Sequence, residues 1–149
     1  MPKNLIKTLK KSPLFKEFSK KQLEQVVAHL KPGILTLKPG DVLYQRGEDA
    51  RCCWLIQSGN LTVRRLSLRT PFRHMIYHEG SVTGIQGLVS PGTPRSVTMI
   101  AEDDVELIEV TREGLGKLDK STQIQLWKNV SSLLLRKLLT CLSRESLDP

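Results

Sequence analysis

Residues 34–63 read ILTLKPGDVLYQRGEDARCCWLIQSGNLTV. Short runs rich in β-branched and aromatic residues (ILTL, VLY, CCWLIQ, LTV) alternate here with turn chemistry: Lys38-Pro39-Gly40-Asp41, Arg46-Gly47-Glu48-Asp49 and Ser58-Gly59-Asn60. Glycine supplies positive φ angles, and Pro, Asp and Asn favour sharp reversals, so the pattern predicts short antiparallel strands. The texture continues through LTVRRLSL (61–68), FRHMIY (72–77), Glu79-Gly80, RSVTMIA (95–101) and VELIEV (105–110). Several short strands at this spacing predict a β-sandwich or barrel.

Outward from this core the hydrophobic period becomes helical. Leu5, Ile6 and Leu9 form a short apolar face, which Ser12-Pro13 interrupts before Leu14, Phe15 and Phe18. Ser19 stands as the N-cap of a second helix over Lys20–Leu30, whose stripe of Leu23, Val26, Val27 and Leu30 ends at Pro32-Gly33. After Val110, the positions Leu126, Val130, Leu133, Leu134, Leu138 and Leu142 predict a long amphipathic C-terminal helix without Gly or Pro. With 149 residues, 39% of them apolar, the chain fits one globular domain. It divides into N-terminal helices (1–32), a β-barrel (33–111) and C-terminal helices (112–149), with no internal repeat or low-complexity linker.

No segment approaches the ~20 apolar residues of a membrane helix, and the Lys-rich start lacks the apolar run of a signal peptide. A soluble, cytoplasmic protein is expected. Three cysteines, Cys52, Cys53 and Cys141, imply no disulfide framework, because the adjacent pair would point to opposite faces of a strand. No metal site is expected either: there is no C-x-x-C, and His74 and His78 would lie ~13 Å apart along a strand. The net charge of +8 is uneven, since residues 1–38 carry nine Lys and two acids. Such a segment suits an acidic partner, a nucleic acid or an anionic membrane surface. Equally, Lys3, Lys7, Lys10 and Lys11 match a solvated helix face.

One segment breaks the strand rhythm. GSVTGIQGLVSPGTPRSVTMI (80–100) holds Gly80, Gly84, Gly87, Gly92, Pro91 and Pro94, and then Arg95 enters a strand. Closely spaced glycines let peptide N–H groups approach a ligand, a short helix starting near Gly84 aims its positive end inward, and a guanidinium grips phosphate bidentately. The outline is that of an anion cradle, or of an ordinary turn-rich barrel loop.

From about Leu5 to Leu139 the chain resembles the cyclic-nucleotide-binding domain family. LIKTLKKSPLFKEFSKKQLEQVVAHLKP is similar to the family's N-terminal helices, and LKPGDVLYQRGEDARCCWLIQSGNLTV to its first strands, with Gly40, Gly47 and Gly59 in place. The resemblance implies a mainly β fold: an antiparallel double-stranded β-helix (jelly-roll) barrel with N-terminal helices and a long C-terminal helix. It also implies that 80–98 is a phosphate-binding cassette. The family pattern there is Phe-Gly-Glu, one residue, Ala-Leu, a loop, then Pro-Arg, a small residue, Ala-Thr. This chain has Thr83 for the Phe, keeps Gly84, has Ile85 for the Glu, has Gly87-Leu88 for Ala-Leu, and preserves the end as Pro94-Arg95-Ser96-Val97-Thr98.

In the family the Arg pairs with the cyclic phosphate and the Glu accepts from the ribose 2′-hydroxyl. The implied ligand contacts are therefore Arg95, Ser96 and the segment Gly84, Ile85, Gln86, Gly87 and Leu88, with N–H groups around Gly87 and Leu88 facing the phosphate. Ile85 forfeits the charge-assisted sugar contact, worth ~1.5–3 kcal/mol. Gln86, offset by one residue, turns away from that slot. Val63, Arg65 and Ile76 are placed on the base side, and Asn129, Leu133 or Arg136 on a closing C-terminal helix; a core or a dimer seam accounts equally for the Leu stripe.

Catalysis finds no support. G-x-S-x-G, a complete G-x-G-x-x-G and a P-loop are absent, for Thr93 and Pro94 occupy the P-loop Lys and Ser/Thr slots. The acids Glu102, Asp103, Asp104, Glu106 and Glu109 read as a turn and an exposed strand face. Direct nucleic-acid binding is disfavoured, since only SRESLDP follows Leu142 where a helix-turn-helix needs tens of residues, and seven aromatics offer little stacking surface. Arg64, Arg65, Arg69 and Arg73 nonetheless form a second basic cluster. Two functions follow: a stand-alone regulatory module that senses cAMP, cGMP or a related phosphate and signals to a protein partner through its terminal helices, or a degenerate domain serving as an interaction or oligomerisation module, including a homodimer through the C-terminal helix.

Overall fold

The computed structural model describes residues 2–30, 34–64 and 76–147. Among the described residues, eight strands form two antiparallel four-stranded sheets. They are β1 (Leu35–Leu37), β2 (Val42–Tyr44), β3 (Cys53–Ser58), β4 (Leu61–Val63), β5 (Ile76–Tyr77), β6 (Val82–Thr83), β7 (Met99–Ala101) and β8 (Val105–Val110). One sheet has the order β1-β8-β3-β6 and the other β2-β7-β4-β5. This is the expected jelly-roll architecture. Of the expected strand FRHMIY only Ile76–Tyr77 is seen as β5, residues 72–75 lying outside the described residues; Arg65, Arg69, Arg73 and His74 lie outside them too.

The central strands β3 and β8 of the first sheet are buried on both faces, and their register shows how. Cys53 pairs with Val110 and Leu55 with Ile108, while Trp54 pairs with Glu109 and Ile56 with Leu107. Directly opposed residues share a face, so Cys53, Leu55, Ile108 and Val110 point one way, and Ile56 and Leu107 the other. The first set packs with Leu9, Leu14, Phe15, Leu23, Val26 and Leu126 from the helices. The second set meets Tyr44, Leu61, Val63, Met99 and Ala101 of the second sheet. Two-sided burial explains why CCWLI and VELIEV are so apolar for antiparallel strands.

The helices cover the outer face of that sheet. Helix α1 spans Pro2–Lys11, a 3-10 turn follows at Pro13–Phe15, and α2 spans Lys20–Ala28. Ser19 caps α2 as expected: its hydroxyl accepts from the Gln22 N–H at 3.1 Å, and Gln22 Oε1 accepts from the Ser19 N–H at 2.8 Å. A one-turn helix α3 (Gln86–Val89) interrupts the barrel, and α4 (Arg112–Leu115) leads to the long α5 (Lys120–Leu147).

Two clamps hold the first half of α5. Asp119 accepts from the Thr122 N–H at 2.8 Å and from Gln25 Nε2 of α2 at 2.8 Å. Hydrogen bonds from the Thr122 side chain, Gln25, the Thr122 N–H and Ser121 hold its carboxyl well below the usual carboxylate range. Two turns on, buried Asn129 donates through Nδ2 to the carbonyls of Leu14 at 3.0 Å and Lys16 at 2.8 Å. Leu126, Val130 and Leu133 complete the buried stripe, whereas Leu134, Leu135, Leu138, Leu139 and Leu142 are exposed.

Candidate functional site

The cassette is a loop held in place by backbone pairing. Between β6 and β7 the chain makes α3 and returns through Ser90–Pro94, which lies against the turn at Gly47–Ala50. Arg95 N–H donates to the Glu48 carbonyl at 2.7 Å, Gly47 N–H to the Arg95 carbonyl at 2.8 Å, and Ala50 N–H to the Thr93 carbonyl at 2.8 Å. The main chain of Arg95 is therefore fixed before its side chain does anything.

That side chain is 4% exposed. Nη1 donates to the Gly84 carbonyl at 2.9 Å and Nη2 to the Cys52 carbonyl at 2.7 Å, while buried Nε has no partner among the described residues. The guanidinium carbon lies 4.4 Å from the Tyr44 ring centroid and 5.3 Å from that of Trp54, and the two rings stack at 5.7 Å. The acids of residues 102–106 do not pair with it. Asp103 accepts from the Asn60 N–H and Nδ2, at 2.7 and 2.8 Å, and Glu106 accepts from the Ser58 hydroxyl at 3.0 Å. Among the described residues Arg95 is thus a buried cation without a carboxylate.

Glycines make room for this arrangement. Gly84 has φ +76°, and a Cβ there would sit 2.8 Å from Arg95 Nη1 and 3.2 Å from Trp54 Cζ3. Gly87 has an ordinary φ but lies against β3, where a Cβ would fall 2.5 Å from the Cys52 carbonyl carbon and closer still to its N and O. The Gly87 for Ala difference from the family pattern is thus a close approach of α3 to β3.

Arg95 lines a cavity of about 330 Å³ with Tyr44, Val63, Tyr77, Gly84, Ile85, Gln86, Ser96, Val97, Met99, Lys137 and Leu138. That volume lies within the range of small-molecule sites. Of the sequence-derived candidates, Val63, Gly84, Ile85, Gln86, Arg95 and Ser96 come together here. Ile85 is 7% exposed and belongs to the helix-side core as well. Gln86 is held to the returning loop, its Nε2 donating to Thr93 Oγ1 at 2.7 Å and to the Pro94 carbonyl at 2.8 Å.

The other described candidates lie off this wall. Gly87 and Leu88 do not line the cavity: their N–H groups donate to the carbonyls of Gly84 and Ile85 within the turn, and the Leu88 side chain is core. Ile76 points outward at 55% exposure, because it pairs with Thr62 while Tyr77 pairs with Leu61; one step along the strand puts Tyr77 on the inner face instead. From α5 the cavity takes Lys137 and Leu138 rather than Asn129, Leu133 or Arg136. Asn129 holds the N-terminal turn, Leu133 is core, and Arg136 lies in a cleft with Lys10, Lys16 and Glu17. Lys137 Nζ sits 5.3 Å from the Tyr77 ring centroid.

Sequence reasoning missed Tyr44, Tyr77, Met99, Lys137 and Leu138. Neither titratable group buried nearby is poised for chemistry. Burial pushes the Cys53 thiol up, out of the range where a thiolate forms at neutral pH, and burial likewise raises Tyr44, whose hydroxyl lies 3.2 Å from Thr83 Oγ1. No helix among the described residues is long and apolar enough to cross a membrane.

Comparison with solved structures shows the same fold in regulatory proteins. The N-terminal domain of a transcriptional regulator from Streptomyces coelicolor is 22% identical with a TM-score of 0.72, over 87% of this chain and 94% of that one. The catabolite activator protein of Thermus thermophilus is 21% identical with a TM-score of 0.76, over 91% of this chain and 62% of that one. The regulatory domain of Toxoplasma gondii PKA, crystallised with cAMP, is 22% identical with a TM-score of 0.67, over 83% of this chain and 46% of that one. Comparison with curated protein sequences returns no match. At the sequence level, the profile of the cyclic nucleotide-binding domain matches residues 34–121, from the start of β1 to the first turn of α5. More than half of the chain thus carries the family's pattern on the family's jelly roll, and the chain belongs to the cyclic nucleotide-binding domain family.

Proposed function

We propose that residues 1–149 act as one regulatory unit that binds a cyclic nucleotide or a related phosphate in the Arg95 cavity and passes its occupancy to a protein partner through α5. The observation that carries this reading is the state of Arg95: a buried guanidinium, held by two carbonyls, with Nε unpaired and no carboxylate beside it among the described residues. A buried cation without a counter-ion costs several kcal/mol, and an anion in the adjoining cavity supplies the missing charge. Ser96 lines the same wall. Lys137 adds a second cation from α5, so that an anion between them bears on the helix as well as on the barrel.

Isothermal titration with cAMP and cGMP tests this, run on the wild type and on Arg95→Lys, with thermal unfolding to verify that the variant folds. Lysine keeps the charge and loses the fork that holds both carbonyls, so saturable binding in the wild type and a loss of at least tenfold in the variant is the expected result. Silence up to millimolar ligand overturns the reading for these two nucleotides.

A second reading is favoured by a separate observation. Leu134, Leu135, Leu138, Leu139 and Leu142 are 36–55% exposed on consecutive turns of α5. Such a stripe suits an interaction or oligomerisation module, either a homodimer through α5 or a complex with another protein. Light scattering of the wild type and of Leu135→Glu/Leu139→Glu separates the cases: a dimer that becomes a monomer supports the homodimer, and a monomer in both sends the stripe to another partner.

A further inference from the structure

The lysines that crowd residues 1–38 are not all spread over open helix faces. Lys10, Lys11, Lys16 and Arg136 line a cleft of about 430 Å³ where the end of α1, the turn after Pro13–Phe15 and α5 meet. Its one acid among the described residues is Glu17. Lys10 and Lys11 close the last turn of α1, where the free carbonyls of a helix favour cations, and Glu79 meets Lys11 Nζ at 2.8 Å. Neither reason applies to Lys16, which follows a single 3-10 turn, or to Arg136, about three turns before the end of α5. Glu17 does not neutralise them: its Oε2 accepts from Gln125 Nε2 of α5 at 3.4 Å. Among the described residues the side chains of Lys10, Lys16 and Arg136 form no ion pair.

The backbone around these cations is fixed from outside the cleft. Asn129 Nδ2 donates to the Lys16 carbonyl at 2.8 Å, which ties the turn to α5. Arg136 lies seven residues further on, nearly two full turns or about 10 Å, and so shares the face of α5 that carries Asn129. Glu17 has φ +66°, a conformation unfavourable for a non-glycine residue and of a kind that collects at ligand sites. We infer that the cleft is a second anion site, separate from the Arg95 cavity, for a phosphomonoester or pyrophosphate group. Three unpaired cations facing one carboxylate match an anion of at least two charges, and an Arg fork beside Lys point charges suits phosphate oxygens. Such an anion, held between Lys16 and Arg136, would join the turn to α5 one residue before Lys137 of the Arg95 cavity. The inference does not rest on ligand binding at Arg95.

The test is isothermal titration with inorganic pyrophosphate on the wild type, Lys16→Gln/Arg136→Gln, Arg95→Lys and Lys120→Gln/Lys128→Gln. The last removes two exposed cations of α5 that lie outside the cleft, and thermal unfolding verifies each fold. Saturable binding is expected in the wild type, weaker by about tenfold or more in the cleft variant and changed by less than about twofold in the other two. Sedimentation with phosphatidylcholine vesicles, with and without phosphatidic acid, separates a lipid headgroup from a free phosphate. Binding in either arm that only the cleft variant loses upholds the site, and the arm that binds names the source. Equal weakening in the cleft variant and in Lys120→Gln/Lys128→Gln means diffuse attraction to a basic surface and overturns the inference. Pyrophosphate binding lost in Arg95→Lys and kept in the cleft variant places the anion in the Arg95 cavity and overturns it too. So does silence in both arms up to millimolar ligand, which leaves the cyclic nucleotide reading untouched.

Discussion

Replacing Gly87 with alanine, the residue the family pattern has there, tests the geometry on which the site depends. A methyl group at residue 87 would lie 2.5 Å from the Cys52 carbonyl carbon, whereas ordinary contact begins near 3.4 Å. Both sides are backbone and the Cys52 N and O lie closer still, so α3 and β3 must part by about 1 Å or more. Overpacking costs about 1–3 kcal/mol, and here no flexible side chain absorbs it. The movement also strains the 2.7 Å hydrogen bond from Arg95 to the Cys52 carbonyl, and a hydrogen bond to a charged group is worth about 1.5–3 kcal/mol. Against this, alanine gains at most about 1 kcal/mol of helix propensity. The net loss is about 2–4 kcal/mol, which for a chain of this length lowers Tm by roughly 5–15 °C. Thermal unfolding followed by circular dichroism reads this directly. Gly92→Ala is the control, because its Cβ meets nothing within 4 Å and only the positive φ of 88° opposes it; about 1 kcal/mol and a few degrees are expected there. A Gly87→Ala Tm within 2 °C of the wild type, or above that of Gly92→Ala, would refute the close approach of α3 to β3.

Three further outcomes are expected. Glu17 has φ +66° in a turn closed by Phe18 N–H donating to the Phe15 carbonyl, so Glu17→Gly relieves about 1–2 kcal/mol of strain and adds about 0.5–1 kcal/mol of chain entropy cost; Tm should rise by 1–4 °C, and a fall would count against the strain. Asn129→Ala strips the carbonyls of Leu14 and Lys16 of their donor at a cost of about 2–3 kcal/mol; hydrogen exchange should accelerate first across residues 12–18, and unchanged exchange there would mean the turn is held by other contacts. Because the Asp119 carboxyl is held below its ordinary value of about 3.9, its contribution to stability is present above that pH and is lost as pH falls toward the lower folded value; Asp119→Ala should flatten the decline of Tm below pH 4, and parallel curves for the two proteins would sink the assignment.

The barrel was legible because its signals are local. Pro39-Gly40-Asp41, Gly47 and Ser58-Gly59-Asn60 mark turns whatever surrounds them, and Ser19 marks the start of α2, where the structure completes a capping box with Gln22. Arg95, Gly84, Ile85 and Ser96 were legible through a sequence pattern. What stayed hidden depends on which face a side chain takes and where two distant segments meet. Ile76 and Tyr77 are neighbours in sequence, and only the pairing of Tyr77 with Leu61 decides which of them faces inward. Lys137 and Leu138 line the cavity in place of Asn129, Leu133 or Arg136, and Asn129 is spent on the carbonyls of Leu14 and Lys16, more than a hundred residues away. The fate of Gly87 was equally unreadable: its N–H is used within the turn, and its missing side chain matters for the approach of Cys52.

If the proposed function holds, the same contacts define how occupancy of the cavity reaches a partner. Helix α5 is fixed at Asp119 and Asn129, and it crosses the cavity at Lys137 and Leu138, eight residues or about 12 Å past the second clamp. Leu138 lines the cavity and is also 55% exposed in the leucine stripe, so one side chain belongs to both surfaces. A ligand that engages Lys137 draws on the group now lying over the Tyr77 ring. A partner that covers Leu138 changes the wall the ligand meets. Coupling between the two sites is then reciprocal, and the partner must shift ligand affinity by the same factor as the ligand shifts partner affinity. The clamped half of the helix supplies the fixed end against which such a shift is felt. Loosening it at Asn129 should therefore weaken the coupling without touching a single residue of the cavity wall.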